Sequence, residues 1–441
     1  MPAANAALVN LYNFTNGIDG ASPQPGLIQA SNGAFYGAAL NGGSNGFGTV
    51  FTFTTSGVLT PLYSFNDDVD GGVPQAGLTQ FTNGNLFGAT SDSVNGAGVI
   101  YRVTASGAFT AIYPFTGASD GSSPQASLTQ GTNGFLYGTT FQGGANGAGT
   151  VFKVTATGAL TTLYTFQGSV DGGAPEAALT IGPDGNFYGT TSSGGTNGEG
   201  TIFRITHAGQ FNSLYSFTNG LDGAMPQVPL VKASDGNLYG AAFAGGANQN
   251  GSLFRVTTAG RVTAMYSFSA APVGTNADGF NPSALIQASD GNLYGTTANG
   301  GANGSGTIFH ATLAGAMSTL YSFGAISSDT FTNTDGANPT GIIQGRDGNF
   351  YCTTLAGGPD AEGSIFHFAG PAPLSFLGSQ YANGQAVLRL TGQGNFAVDA
   401  STNLTQWAPL GTNTFVSNQI QVTDANARNF PHRFYRARQL P

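Results

Sequence analysis

The chain is short of charge. Lys, Arg, Asp and Glu make up 7% of its 441 residues, against roughly 25% in an average soluble protein. It holds three glutamates (Glu176, Glu199, Glu362) and four histidines (His207, His310, His367, His432). That leaves little material for paired-carboxylate hydrolysis, which needs close and differently tuned acids, and nothing marks such a pair. One cysteine, Cys352, excludes an intrachain disulfide framework. Twelve basic residues against 21 acidic ones argue against nucleic acid, whose binding rests on cations neutralising phosphates. No apolar run reaches the roughly 18 residues that would suggest a membrane span. The opening stretch MPAANAALVNLYNF lacks a charged n-region and a long apolar core, so it does not read as a signal peptide. A nucleophile elbow, a P-loop and a dinucleotide fingerprint are also missing; the GGxNGxG phrases lack the Lys and the helix of a phosphate cradle.

What is present is repetition. One copy runs from Asp171 to Phe217, DGGAPEAALTIGPDGNFYGTTSSGGTNGEGTIFRITHAGQFNSLYSF, and the same phrase returns about every 51 residues. Its closing tyrosine recurs at Tyr12, Tyr63, Tyr113, Tyr164, Tyr215, Tyr266 and Tyr321, and its opening aspartate at Asp19, Asp70, Asp120, Asp171, Asp222, Asp278 and Asp335. A fixed period of this size marks a solenoid, a propeller or an array. Each copy holds four strand-like phrases rich in Val, Ile, Thr, Tyr and Phe, as in Leu78–Gln80, Phe135–Thr140, Thr150–Thr155 and Leu160–Phe166. Asn-Gly or Asp-Gly joins the first two, a Gly-rich loop the second and third, and an x-Gly-x turn the third and fourth. The chain opens on a fourth strand (Ala7–Phe14) and its last copy stops after a third (Ser364–Phe368). Complementary ends favour a closed ring over an open solenoid, because closure removes the free edge. The expected fold is therefore all-β: a seven-bladed β-propeller over residues 1–370, closed by the N-terminal strand. The Gly370–Pro373 linker then leads to a small C-terminal β-sandwich over 371–441, with segments near 374–380, 385–391, 395–401, 407–415, 418–423 and 433–439.

The repeat resembles the GloVer-type tandem repeat of exported bacterial proteins, on DGxxP, LYGTT-like, GGxNGxGTVF-like and LYSF-like phrases across residues 7–368. Asp399–Trp407, with Phe430–Arg436, resembles a C-terminal module of verrucomicrobial exported proteins. The resemblance implies export and surface display, and brings no catalytic residues with it.

Eleven of the 18 aspartates sit in repeated turns, where Asp bonds its own local amides. An alternative for Asp68-Val69-Asp70-Gly71 and Asn333-Thr334-Asp335-Gly336 is a calcium loop, although the further oxygens calcium needs are not evident. Asp68 and Asp70 are the weak metal candidates. His310 and His367 share a third-strand slot with Thr52, Arg102, Lys153, Arg204 and Arg255, which reads as solvent-facing. In the tail, Arg433, Arg436 and Arg438 read either as protection of a sheet edge or as a docking surface for an acidic partner.

Deviations from the repeat are the sharper signal. From the LYSF-like phenylalanine to the Asp-Gly is five residues in five copies (Phe14 to Asp19), ten from Phe268 to Asp278 and twelve from Phe323 to Asp335. The same two copies drop one residue after the proline and lack the Gln or Glu held by Gln24, Gln75, Gln125, Glu176 and Gln227. Loops carry function more often than framework, so a ligand site is expected at Thr275, Asn276, Asp278, Asp329, Phe331, Asn333 and Asp335. The expected function is an extracellular or cell-surface recognition protein, a monomer, binding a glycan or protein on the loop-rich face. No catalytic residue and no cofactor other than the calcium alternative is expected. A polysaccharide-active hydrolase or lyase and a purely structural spacer are the other readings.

Overall fold

The computed structural model describes residues 7–24, 26–68, 70–93, 95–271, 274–370, 375–391, 395–414 and 419–439. Regular structure among them is β, apart from a single 3-10 turn at Ala427–Asn429. The repeat folds as seven antiparallel sheets of one build. In sheet 3, Thr129–Gln130, Leu136–Thr140, Thr150–Val154 and Leu160–Thr165 pair in chain order. Sheets 1, 2, 4, 5 and 6 span residues 21–64, 79–114, 180–216, 231–267 and 280–322 in the same order, with the first strand of sheet 1 in two pieces. Sheet 7 takes three strands from residues 337–368. Its fourth is Val9–Asn13, which pairs with Ser364–Phe368 and sets Val9 opposite His367.

The first hairpins turn as their sequence suggests, with one refinement. Only the glycine is left-handed (Gly33 φ +87°, Gly185 φ +79°), while the preceding Asn or Asp caps the turn through its side chain. Asp184 accepts from Asn186 N at 3.2 Å and from Tyr188 OH at 2.9 Å.

Second and third strands are buried almost throughout, as in Phe187–Thr191 and Thr201–Ile205. Both faces of each sheet are covered, so these strands read as continuous rather than alternating. The glycine after the second-strand aromatic is there for closeness: a Cβ on Gly189 would lie 2.4 Å from the Phe203 ring. The phenylalanine ending each repeat meets the third-strand aromatic of the next sheet edge-on. Ring centres are 5.2–5.6 Å apart in six junctions, Phe14–Phe51 included. At Phe323–Phe366 they open to 6.1 Å, in the sheet where buried Cys352 replaces the glycine opposite Phe366.

In the tail, Ser375–Ala382, Gln385–Thr391 and Gln419–Asp424 form one three-stranded sheet, and Ala408–Thr414, Asn395–Ser401 and Phe434–Gln439 another. Leu388, Leu390, Phe396, Val398 and Val422 share one buried cluster across the two. The linker expected at 371–373 lies outside the described residues.

Successive sheets are joined by the DGxxP phrase. The residue before its proline is left-handed in all seven copies, from φ +52° at Ser123 and Asn338 to +56° at Asn281, even where it is β-branched Val73. Such backbone costs about 1–3 kcal/mol unless the surroundings hold it. Here its N–H donates to a carbonyl in the Gly-rich loop of the preceding sheet: Val73 to Phe47 at 3.0 Å, Ser123 to Ala97 at 2.9 Å, Ala174 to Ala148 at 2.9 Å. The proline then packs on a glycine of that loop; Pro175 Cδ lies 2.8 Å from where a Cβ on Gly149 would stand. Sheets 7 and 1 carry the same joint, with Ser22 N to Glu362 O at 2.8 Å and Pro23 against Gly363.

The phrase's aspartate is the pivot. In every copy Oδ2 accepts the repeat tyrosine's hydroxyl, from 2.6 Å (Tyr321–Asp335) to 3.1 Å (Tyr113–Asp120). The same oxygen accepts the N–H of the residue after the phenylalanine. Where that residue is Thr15, Thr116, Thr218 or Ser269, its hydroxyl also donates to Oδ1. Where it is Asn66, Gln167 or Gly324, Oδ1 of Asp70, Asp171 or Asp335 is buried without a partner among the described residues.

Two outcomes follow from this pairing. Gln167→Thr supplies the missing hydroxyl and is expected to stabilise the protein by about 1–2 kcal/mol, read as a shift in urea midpoint; no shift would contradict the pairing. Tyr12 and Tyr215 are held up at about 12 by burial first and the adjacent carboxylate second. The fold favours the neutral phenol, so this stability is fully present below about pH 10 and lost as pH rises from there to about 12. Melting temperature should be level through mildly alkaline pH and fall across that window, together with the appearance of tyrosinate absorbance.

Candidate functional site

With four strands in order, the second-to-third and fourth-to-first connections leave from one end, so the Gly-rich and DGxxP loops share a rim. In four of the five-residue copies the loops are stitched by main chain. The carbonyl two residues before the aspartate accepts from the residue after it and from the second glycine of the Gly-rich loop: Ala118 O takes Gly121 N at 3.2 Å and Gly144 N at 2.8 Å.

In the two long loops an asparagine side chain takes over that carbonyl's role. Asn276 Oδ1 accepts from Gly279 N (2.8 Å) and Gly301 N (3.1 Å), while its Nδ2 donates to Ser269 O and Gly279 O. Asn333 repeats the pattern with Gly336 N and Gly358 N (both 2.8 Å), and with Gly324 O and Gly336 O. Asp278 is buried and holds Tyr266, and Asp335 holds Tyr321, as in the short copies. Four of the seven residues expected at a ligand site are thus engaged in holding the loops.

The other three lie further out. Thr275 is half-buried, and Asp329 and Phe331 are exposed. Phe331 is 67% exposed at φ +57°, on a turn braced by Phe331 N to Ser327 O (3.0 Å) and Ser327 N to Thr332 O (2.9 Å). Asp68 is exposed, whereas Asp70 is buried and bonded to Tyr63 and Asn66 N, so the two are not offered together to an ion. The histidine slot departs from expectation because the cross-strand tyrosine of its own sheet lies against it. His310 is half-buried edge-on to Tyr294 (5.1 Å), and burial lowers its pKa against the pull of Asp290. His367 is half-buried against Tyr351 (5.9 Å).

A second feature of this end is a cavity of about 220 Å³ into which Gln24, Gln75, Gln125, Glu176, Gln227 and Ser283 converge from six sheets. It adjoins an apolar chamber of about 190 Å³ lined by Leu27, Leu78, Leu285, Ile342 and Thr340. Residue count explains the convergence. In sheets 6 and 7 the first strand runs unbroken, Phe280–Gln287 and Ala337–Gln344. The other five sheets carry one residue more after the proline; there the strand is interrupted, and the interruption carries the Gln or Glu. Sequence reasoning recorded this polar position and its loss in two copies, but did not place it at a common point. Its signal was a long polar side chain kept at one slot beside a proline.

The tail arginines are paired within the tail. Arg436 and Arg438 both donate to buried Asp399 (2.9 and 3.1 Å), and Arg433 donates to Asp424 (2.9 Å). Arg433 and Arg436 also lie over Phe430 and Trp407. They are therefore engaged by the tail's own carboxylates.

Against solved structures, the chain is similar to the extracellular domain of a protein described as a hybrid two component system from B. thetaiotaomicron (12% identity, TM-score 0.56, 88% of this chain and 46% of the other). It is also similar to an extracellular domain described as a one component system from that organism (12%, TM-score 0.51, 96% and 54%). The chain spans about half the length of both, and at this identity the likeness is one of fold. No curated protein sequence matches it. The Gloeobacter/Verrucomicrobia repeat model matches residues 1–133, 91–276 and 183–396. Those matches cover the seven sheets end to end, and the chain belongs to the Gloeobacter/Verrucomicrobia repeat family.

Proposed function

We propose that the protein is an extracellular recognition module: a closed seven-bladed β-propeller over residues 1–370, followed by a small β-sandwich, that binds a glycan or protein through its loop-rich face. The ring reading is supported by the seventh junction, which repeats the Phe pair, the left-handed joint and the proline–glycine contact of the other six. Tyr351 against Phe35 (4.3 Å) and Arg346 N to Gln29 Oε1 (2.8 Å) join the same two sheets. The outer placement is supported by the family, by the scarcity of charge, and by both similar solved structures being extracellular domains.

The observation that carries recognition is Phe331. A bulky residue at positive φ is strained, and this one is held out to solvent on a braced turn in the longest loop. A structural spacer has no use for that arrangement, whereas an aromatic face offered to a sugar ring or an apolar side chain does. Asn276 and Asn333 keep the long loops stitched, and Thr275 and Asp329 provide polar groups around them.

The test is a glycan array followed by affinity measurement on any hit, with a binding-partner screen on the intact protein beside it. Phe331→Ala, and removal of five residues between Phe268 and Asp278 with seven between Phe323 and Asp335, are each expected to weaken binding by about ten-fold or more, roughly 1.4 kcal/mol. Full affinity in both variants would reject the loops as the site.

A further inference from the structure

The mouth formed by Gln24, Gln75, Gln125, Glu176 and Gln227 has the chemistry of a binding site rather than of packing. The repeated aspartates of this protein are bonded, and so are the asparagines of the long loops. The carboxamides of Gln24, Gln75 and Gln125 are half-buried, yet no hydrogen bond engages them among the described residues. A carboxamide offers two donors and an acceptor with two lone pairs. Five long polar side chains pointed at one cavity therefore present alternating donors and acceptors without formal charge, apart from Glu176.

Glu176 is the one ionisable member of the set. Its Oε1 lies 2.6 Å from Ser192 Oγ, and Ser192 Oγ lies 2.9 Å from Ala174 O. The hydroxyl has one hydrogen. At the equivalent place in sheet 2, Ser91 gives it to the Val73 carbonyl (3.1 Å). Ser192 has Glu176 Oε1 as the closer of its two acceptors and donates to it. Burial pushes this carboxyl up, with hydrogen bonds from Ser192 and Gln227 opposing. No other titratable side chain lines the cavity among the described residues.

We propose that this mouth binds a single neutral sugar ring, the terminal residue of a glycan. Its hydroxyls meet the five carboxamide and carboxyl groups, and its apolar face is turned to the Leu27, Leu78, Leu285 and Ile342 chamber. Hydroxyls both donate and accept, as the lining groups do. There is no cation in the lining to hold an anion. A volume of about 220 Å³ lies below the roughly 300–1,000 Å³ of sites for larger ligands, which limits the occupant to one small unit. The short Ser283 and Thr340, whose hydroxyls are committed to Pro339 O (2.6 Å) and Pro23 O (3.1 Å), leave sheets 6 and 7 as the open side. These are the sheets entered by the long loops. The inference rests on the glycan branch of the recognition reading and moves the specific contacts from the loop tips to the cavity.

The experiment is saturation-transfer NMR on the full chain with glucose, galactose, mannose and N-acetylglucosamine, followed by titration. At least one sugar is expected to bind. The triple variant Gln75→Ala/Gln125→Ala/Gln227→Ala is expected to lower its affinity about ten-fold or more, with melting temperature as the folding control. Glu176→Gln, which writes into sheet 4 the residue the other four sheets use, is expected to fold and to bind. Gln75→Ala and Gln125→Ala singly are each expected to weaken binding measurably, and full affinity in both would count against the cavity; these milder variants keep the test decisive if the triple variant does not fold. No signal from any of the four sugars, a folded triple variant that keeps its affinity, or loss of binding in Glu176→Gln would overturn the proposal. An array hit lost on shortening the loops but kept in the triple variant overturns it while leaving the recognition reading intact. A sugar signal lost in the triple variant but kept when the loops are shortened supports the cavity and removes the loops.

Discussion

One carboxylate per repeat holds this architecture together. The aspartate of DGxxP grips the sheet behind it through its side chain, by the tyrosine hydroxyl and the main chain after the phenylalanine, as Asp171 does with Tyr164 and Gln167. In five copies its own carbonyl accepts from a hydroxyl on the third strand of the sheet ahead, as Asp171 O does from Thr201 (3.3 Å). The aspartate is thus the hinge pin between neighbouring sheets. Three residues later the left-handed joint and the proline fix the angle. A buried carboxylate is costly unless its lone pairs are used, so the surrounding hydroxyls and amides are requirements of the hinge, not embellishments. This explains why the Tyr-x-Phe and Asp-Gly-x-x-Pro phrases are kept in every copy while the residues between them drift.

That economy also explains how the repeat tolerates change. Lengthening a loop by five or seven residues would remove the peptide carbonyl that stitches it to the Gly-rich loop. Asn276 and Asn333 restore the same acceptor from a side chain, and add a donor that ties the loop to the main chain at both ends. The hinge is kept, and the added residues project beyond it. A single residue removed after the proline has the opposite effect: it straightens the first strand and withdraws a long polar side chain from the cavity. Both changes fall in sheets 6 and 7, so the outer rim and the inner cavity lose their regularity on the same side.

Much of this could be read before any coordinates. Strand phrases, turn glycines and the complementary ends at Val9–Asn13 and Ser364–Phe368 follow from periodicity and turn chemistry, which are local. What could not be read depends on where distant copies meet. Asn276 and Asp278 looked like ligand groups because they stood beside an insertion; only geometry shows that one imitates a peptide and the other is a hinge pin. His310 and His367 looked solvent-facing because cations share their slot, yet a long Arg can reach water from a half-covered position where an imidazole cannot. Gln24, Gln75, Gln125, Glu176 and Gln227 were visible as a column, but a column becomes a site only when the copies are brought round to face one another.

The scarcity of charge with which the sequence begins takes on a different meaning once its aspartates are placed. Seven of the 18 are hinge pins and four cap hairpins, so most of the acidic surplus is spent inside hydrogen-bonded turns. Hydrogen bonding leaves that charge in place, but with 7% charged residues the field over the surface is sparse. The nearest cations in the tail are matched to Asp399 and Asp424. Long-range steering of a charged partner therefore has little to work with, and selectivity must come from short-range contacts: shape, ring faces and hydrogen bonds. A polar but largely neutral cavity and Phe331, the most exposed of the phenylalanines described, are what such a surface has to offer. Both are better matched to hydroxyl-rich ligands than to ionic ones.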